Sequence, residues 1–167
     1  MKRCLPFLAV VLMAACDQKS DSSAGTASPA ETNSKAAGPI VNSSVIVTDQ
    51  ASGNFTVDAR SAGATFENRS GQDATFAFRA QGEWSFAPGA GPLGPSGASS
   101  PASKNFLLPG ANSFGLVAKR GDGSYTHVGD GAELLLKSNE VISFAMNDIT
   151  GGTGDNRGSL NVEWTKN

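Results

Sequence analysis

The chain has 167 residues, a formal net charge of −2 and two cysteines, Cys4 and Cys16, both near its start. That length suits one domain with extensions. A mildly acidic balance without a basic cluster excludes an electrostatic nucleic-acid binder, and cysteines placed only ahead of the foldable stretch exclude a disulfide framework.

Lys2 and Arg3 form a short positive head, followed by an apolar run over residues 5–15 that only Pro6 interrupts. This run is too short for a bilayer-spanning helix, which needs ~20 residues. The small pair Ala14-Ala15 then precedes Cys16, so residues 1–15 read as a secretory signal. Leu12-Met13-Ala14-Ala15-Cys16 resembles a bacterial lipobox. That resemblance implies cleavage before Cys16, lipid attached to it, and a membrane-anchored lipoprotein facing the periplasm or the cell surface. Asp17 resembles the retention signal of some inner-membrane lipoproteins. Plain secretion and an uncleaved anchor are the alternatives. Residues 16–40 carry Ser, Ala, Gly, Thr, Asn and Pro with no aromatic side chain before Ile40. Such a stretch buries too little apolar surface to offset its chain entropy and reads as a flexible linker.

The foldable part spans residues 41–167. Residues 41–48 are a predicted strand. Residues 54–59 alternate, with Phe55, Val57 and Ala59 on one side, and residues 64–68 form a short strand. A turn over 68–73 leads to residues 74–79, where Phe76 and Phe78 point inward. Trp84 and Phe86 follow an expected turn at Gly82. Residues 87–103 are irregular, because Pro88, Pro92 and Pro95 remove donors and the glycines between them interrupt any ladder. A loop of that length in a compact domain is often functional. Pro109-Gly110 is a turn, and residues 113–119 are a strand with Phe114, Leu116 and Ala118 on one face. Arg120-Gly121-Asp122-Gly123 is a tight turn; its Arg-Gly-Asp triplet is common by chance in Gly-rich turns. Residues 125–128 are an edge segment, residues 133–137 a strand, and residues 141–146 another. No segment keeps a helical period over two turns. The short strands with regularly spaced turns predict an all-β, antiparallel β-sandwich.

The last two strands organise the domain. Phe144 and Met146 share one face of the first, and Leu160, Val162 and Trp164 share one face of the second, so both rows enter a common core. The loop between them holds Asp148, Asp155 and Asn156, with Gly151, Gly152, Gly154 and Gly158 among them. Carboxylate, carboxamide and backbone carbonyl oxygens suit a hard divalent cation, and calcium is the expected ion. The alternative is a solvated turn, in which such residues serve local geometry.

From these residues onward, the last hundred residues resemble the calcium-dependent galactophilic lectins of bacteria, which are small jelly-roll domains. The resemblance is carried by Asn147-Asp148-Ile149-Thr150-Gly151-Gly152-Thr153-Gly154-Asp155-Asn156-Arg157-Gly158-Ser159 and by Glu83-Trp84-Ser85-Phe86-Ala87-Pro88. Residues 113–119 and His127-Val128-Gly129-Asp130 match at suitable spacing. The resemblance implies a calcium ion held by Asp148, Asp155, Asn156 and the backbone carbonyls of Gly152 and Phe86. It further implies that two neighbouring hydroxyls of a carbohydrate or glycoconjugate complete the coordination. Asp148, Asp155 and Asn156 would then touch the sugar, with Trp84 and Pro101 beside it. The family's long loop carries a His, a Pro and a Gln near the sugar, whereas residues 98–105 offer Pro101 alone of the three. A domain that keeps the fold as a non-catalytic structural or protein-interaction module, without the sugar, is therefore the competing reading. Lectins of this type are often homo-oligomers, although no residue pattern here fixes an assembly.

Other chemistries lack their residues. No lysine follows the glycines as in a phosphate-binding loop, and the Gly-rich calcium repeats of β-helices need tandem copies. No Gly-x-Ser-x-Gly elbow with a base is present, so the chain is read as a non-enzyme. His127 is the only histidine and is expected at the surface.

Overall fold

A computed structural model describes residues 43–167. The expected leader, the lipidated Cys16 and the linker through residue 40 lie outside them. Alternating apolar residues build nine strands: β1 (Ser44–Val47), β2 (Ser52–Asp58), β3 (Ala64–Asn68), β4 (Ala74–Ser85), β5 (Leu116–Arg120), β6 (Tyr125–His127), β7 (Gly131–Leu136), β8 (Val141–Met146) and β9 (Arg157–Lys166). They form two sheets, ordered β1-β3-β8-β5-β6 and β2-β9-β4-β7. The chain is a β-sandwich of jelly-roll type. Its pairings are antiparallel with one exception, since β1 runs parallel to β3. Between those two strands the chain crosses to the other sheet as β2 and returns, so its direction reverses twice.

The core lies between the sheets. Phe66 of β3 meets Phe76 and Phe78 of β4 edge-on at 5.0 Å each, and Trp164 of β9 at 5.4 Å. Phe144 of β8 packs on Phe55 of β2 at 5.2 Å and on Phe78 at 4.9 Å. Full burial of each such ring stabilises by roughly 1.5–3 kcal/mol, and tilted or edge-on ring pairs add about 0.5–1.5 kcal/mol. The expected inward positions Phe76, Phe78, Phe144, Met146, Leu160, Val162 and Trp164 are all buried.

Two local expectations are corrected. The chain does not turn at Gly82: β4 continues through it, with Gly82 at φ 109° opposite Leu160 of β9. A Cβ there would stand 3.0 Å from the Ser159 carbonyl oxygen, so the close approach of β9 requires glycine. Secondly, β5 begins at Leu116, because Phe114 takes a left-handed conformation (φ 61°) that ends the extended run. Residues 87–103 are irregular as expected, and backbone bonds tie them down. Trp84 and Leu93 exchange two, Leu116 N–H donates to the Pro95 carbonyl at 2.8 Å, and Ala98 N–H donates to the Ser113 carbonyl at 2.9 Å.

Strand β8 lies in one sheet and β9 in the other. The residues 147–156 that join them therefore cross the end of the sandwich, where both sheets contribute groups.

Candidate cation and sugar site

At this crossing, Asn147 leaves β8 fully buried. Its Oδ1 accepts from Leu108 N–H at 2.8 Å, and its Nδ2 donates to the carbonyls of Leu108 (3.1 Å) and Asn112 (3.0 Å). Phe114 N–H donates to the Asn147 carbonyl and Leu107 N–H to the Asp148 carbonyl. These bonds fasten residues 107–114 against the start of the acidic loop and fix where Asp148 begins.

Asp148 is only 5 % exposed. Its Oδ1 accepts from Ile149 N–H at 2.7 Å, and its Oδ2 accepts from Asn156 Nδ2 at 3.0 Å. Asn156, at the entry to β9, is fully buried. Its amide nitrogen also faces the Ala59 carbonyl at 3.0 Å and the Met146 sulfur at 3.3 Å. Three acceptors around one NH2 group fix the orientation of the carboxamide. The opposite atom, Asn156 Oδ1, is buried and has no hydrogen-bond partner. Such an atom costs about 1–3 kcal/mol unless something satisfies it.

Gly152 closes the loop by donating its N–H to the Ile149 carbonyl at 2.7 Å. A Cβ at this position would lie 3.0 Å from that oxygen and 3.5 Å from Asp148 Oδ1, so the glycine leaves open space beside the carboxylate. Residues Thr153–Asp155 form a single 3-10 turn, and Asp155 is exposed on it. Asp148, Gly152 and Asn156 are thus brought together, while the Asp155 side chain stands at the rim.

The remaining expected residues fall elsewhere. Trp84 is 1 % exposed, and its indole N–H donates to the Phe114 carbonyl at 2.9 Å. Its ring lies in the core, where a sandwich Trp is more often found, and not beside a sugar as the resemblance implied. Phe86 is 36 % exposed and stacks on Phe114 with ring centroids 4.1 Å apart. Phe114 in turn meets Phe106 edge-on, and Phe106 bridges to Ile149. An aromatic row therefore connects the Phe86 segment to the acidic loop. Pro101 is exposed and bridges to Asn112, whose carbonyl Asn147 holds. His127 is half-buried rather than on the surface. Its Nε2 is enclosed without a partner, in a space kept open by Gly115 and Gly129. In the Arg-Gly-Asp turn, Arg120 pairs with Glu140 and donates to the Leu135 carbonyl, so its guanidinium is already engaged.

Sequence reasoning gave no role to Asn147, to the Ala59 carbonyl or to the Met146 sulfur. Asn147 carried a signal, since an Asn directly after a strand of core residues is placed to bond loop backbone. Ala59 acts through its backbone and carried none. Among the described residues, no three His, Cys, Asp or Glu side chains gather into a metal-binding group. An ion here would depend on one buried carboxylate together with carboxamide and carbonyl oxygens, a mixture that calcium accepts.

No protein-family model matches the chain, and no curated protein matches it. Among solved structures it is similar to one described as "EclA N-terminal domain; PllA-like lectin". The two share 21% identity over 71% of this chain and 97% of that chain, with a TM-score of 0.48.

Proposed function

We propose that the domain is a calcium-dependent carbohydrate-binding module, non-catalytic and carried at the membrane by lipid on Cys16. The observation that carries the reading is the buried, unpartnered Oδ1 of Asn156, whose amide nitrogen holds the Asp148 carboxylate. A cation at this oxygen would satisfy it, with the neighbouring carboxylate supplying charge. Asp148 and Asn156 would hold it with the Gly152 carbonyl, and Asp155 would close from the rim. Calcium takes six to eight oxygens at flexible geometry, which leaves positions that two neighbouring sugar hydroxyls can fill. Asp148 would also accept a hydrogen bond from one of those hydroxyls, and Pro101 would flank the sugar from the neighbouring loop.

The chain's own groups do the preparing. Ile149 N–H holds one Asp148 oxygen and Asn156 Nδ2 the other, so the carboxylate is oriented before any ligand arrives. The absence of a side chain at Gly152 keeps space open next to it. The competing reading, an envelope interaction module without sugar, is favoured by the exposed Asp155 and by the burial of Trp84 in the core. Calorimetry separates the two. The module reading expects calcium to bind, and a galactoside or another glycan to bind only when calcium is present. Asp148→Ala should abolish calcium affinity and leave circular dichroism unchanged. A variant that bound calcium as well as the parent would move the ion elsewhere, and calcium without any bound glycan would leave the competing reading.

A further inference from the structure

The outer face of the five-stranded sheet carries a cavity of about 260 Å³ that none of the proposed cation ligands lines. Its floor is built by residues that alternate with core residues along their strands. Ser143 and Ala145 of β8 lie between Ile142, Phe144 and Met146, and Lys119 of β5 follows the buried Ala118. Tyr125 of β6 borders the floor, while Leu107 and Ile149 form an apolar wall beneath the residue 149–153 turn.

The lining has one kind of charge. Among the described residues, Lys119 is the only ionised side chain that borders the cavity, and no carboxylate does. Its ammonium stands 5.8 Å from the centre of the Tyr125 ring and forms no ion pair among the described residues. Ile149 is 47% exposed and offers apolar surface at the edge of the cavity. The volume falls below the ~300–1,000 Å³ of sites for drug-sized molecules, so it suits a single ring or a short chain.

We propose that this cavity is a second ligand site, for a small carboxylate with an apolar body, aryl or short acyl. The body packs against Leu107, Ile149 and the Tyr125 ring, and the carboxylate takes the Lys119 ammonium. The Ser143 hydroxyl lies on the same floor and can donate to the second carboxylate oxygen. Charge complementarity selects the anion, since an ammonium beside apolar surface favours a carboxylate over its neutral analogue. The site does not depend on calcium or on the sugar reading.

The test is an amide-resolved NMR titration of the full chain in the presence of a chelator, with benzoate, hexanoate and benzyl alcohol as probes. Shifts should cluster at Ser143, Ala145, Thr150 and Gly151. Benzoate alone would identify an aryl body and hexanoate alone an acyl one. Lys119→Met should weaken binding about tenfold, equivalent to ~1.4 kcal/mol, and benzyl alcohol should bind the parent about tenfold more weakly than benzoate. Ala145→Leu should fill the cavity and abolish binding. If that variant fails to fold, the exposed Lys119 substitution and the neutral probe decide the matter unaided. Scattered shifts, no binding by either acid, or equal binding of benzoate and benzyl alcohol would overturn the proposal.

Discussion

Asn156 has more acceptors around its nitrogen than it has hydrogens, and none of the neighbouring donors reaches its oxygen. That imbalance gives a prediction separable from loss of fold. Replacing Asn156 by Leu removes the unpaired oxygen but strands both the Ala59 carbonyl and Asp148 Oδ2, and each unpaired buried group costs about 1–3 kcal/mol. One more group is left unpaired than is relieved, so urea unfolding without calcium should lose about 1–3 kcal/mol, while calcium affinity is lost. A metal-free loss above about 3 kcal/mol would make Asn156 a structural staple and not a poised ligand. A second residue-scale prediction concerns Asp122. Its carboxylate accepts from the Ser124 hydroxyl at 2.7 Å and the Ser124 N–H at 2.9 Å, and these bonds, the hydroxyl first, hold its pKa below the usual 3.8. A depressed carboxylate pKa means the turn is favoured above the ordinary carboxylate range and loses that contribution as pH falls through the lowered value. An NMR titration should find the Asp122 midpoint below that of a free aspartate, and Ser124→Ala should move it back up. An unmoved midpoint in that variant would remove the assigned cause.

Among the elements, the strands were the most legible, because a period of two needs only residue type. Phe55, Val57, Phe76, Phe78, Leu160 and Val162 all face the core as their alternation required. Trp84 lies in the core and not beside a sugar, for a reason the register makes plain. It shares parity with Phe76, Phe78 and Ala80, so an unbroken strand buries it, whereas a turn at Gly82 erases the phase. Only the partner strand reveals that Gly82 is there for close approach, and a single sequence does not display that partner. The Pro- and Gly-rich stretch was likewise readable as irregular but not as ordered, since its bonds run to residues 84, 113 and 116. Gly97 is the tightest point of this stretch. It sits at φ 73°, and a Cβ would lie 2.3 Å from Gly115 N and 2.4 Å from the Ser113 carbonyl oxygen. Overpacking of this kind costs about 1–3 kcal/mol, with the left-handed backbone adding to it. Gly97→Ala should therefore lower the melting temperature by several degrees. Gly91→Ala, at a site with nothing within 4 Å and no positive φ, should leave it unchanged. Equal melting temperatures for the two variants would mean that the loop is not packed as described.

For the whole molecule, the candidate site lies where the two sheets are joined. Asp148 follows β8 of one sheet, Asn156 precedes β9 of the other, and the Ala59 carbonyl that holds Asn156 follows β2. Asp148 and Asn156 lie 8 residues apart, but the carbonyl that orients Asn156 is 97 residues away, so the ligand oxygens are held in place only in the folded state and an ion binds that state almost exclusively. Linkage then sets the size of the effect. At a hundredfold excess over its dissociation constant, calcium should add about 2.7 kcal/mol to the unfolding free energy, a large share of the ~5–15 kcal/mol typical of a domain. Because the ion changes affinity for the native state and not the surface exposed on unfolding, the urea midpoint should rise with an unchanged slope. Magnesium demands near-ideal octahedral geometry and dehydrates reluctantly, so at equal concentration it should raise the midpoint far less. Asp148→Ala should respond to neither ion. Two results would break the argument. A parent protein whose midpoint ignores calcium has no ion at the junction of its sheets. A parent that magnesium stabilises equally holds a cation by charge alone, without the mixed oxygen cage that leaves positions for a sugar.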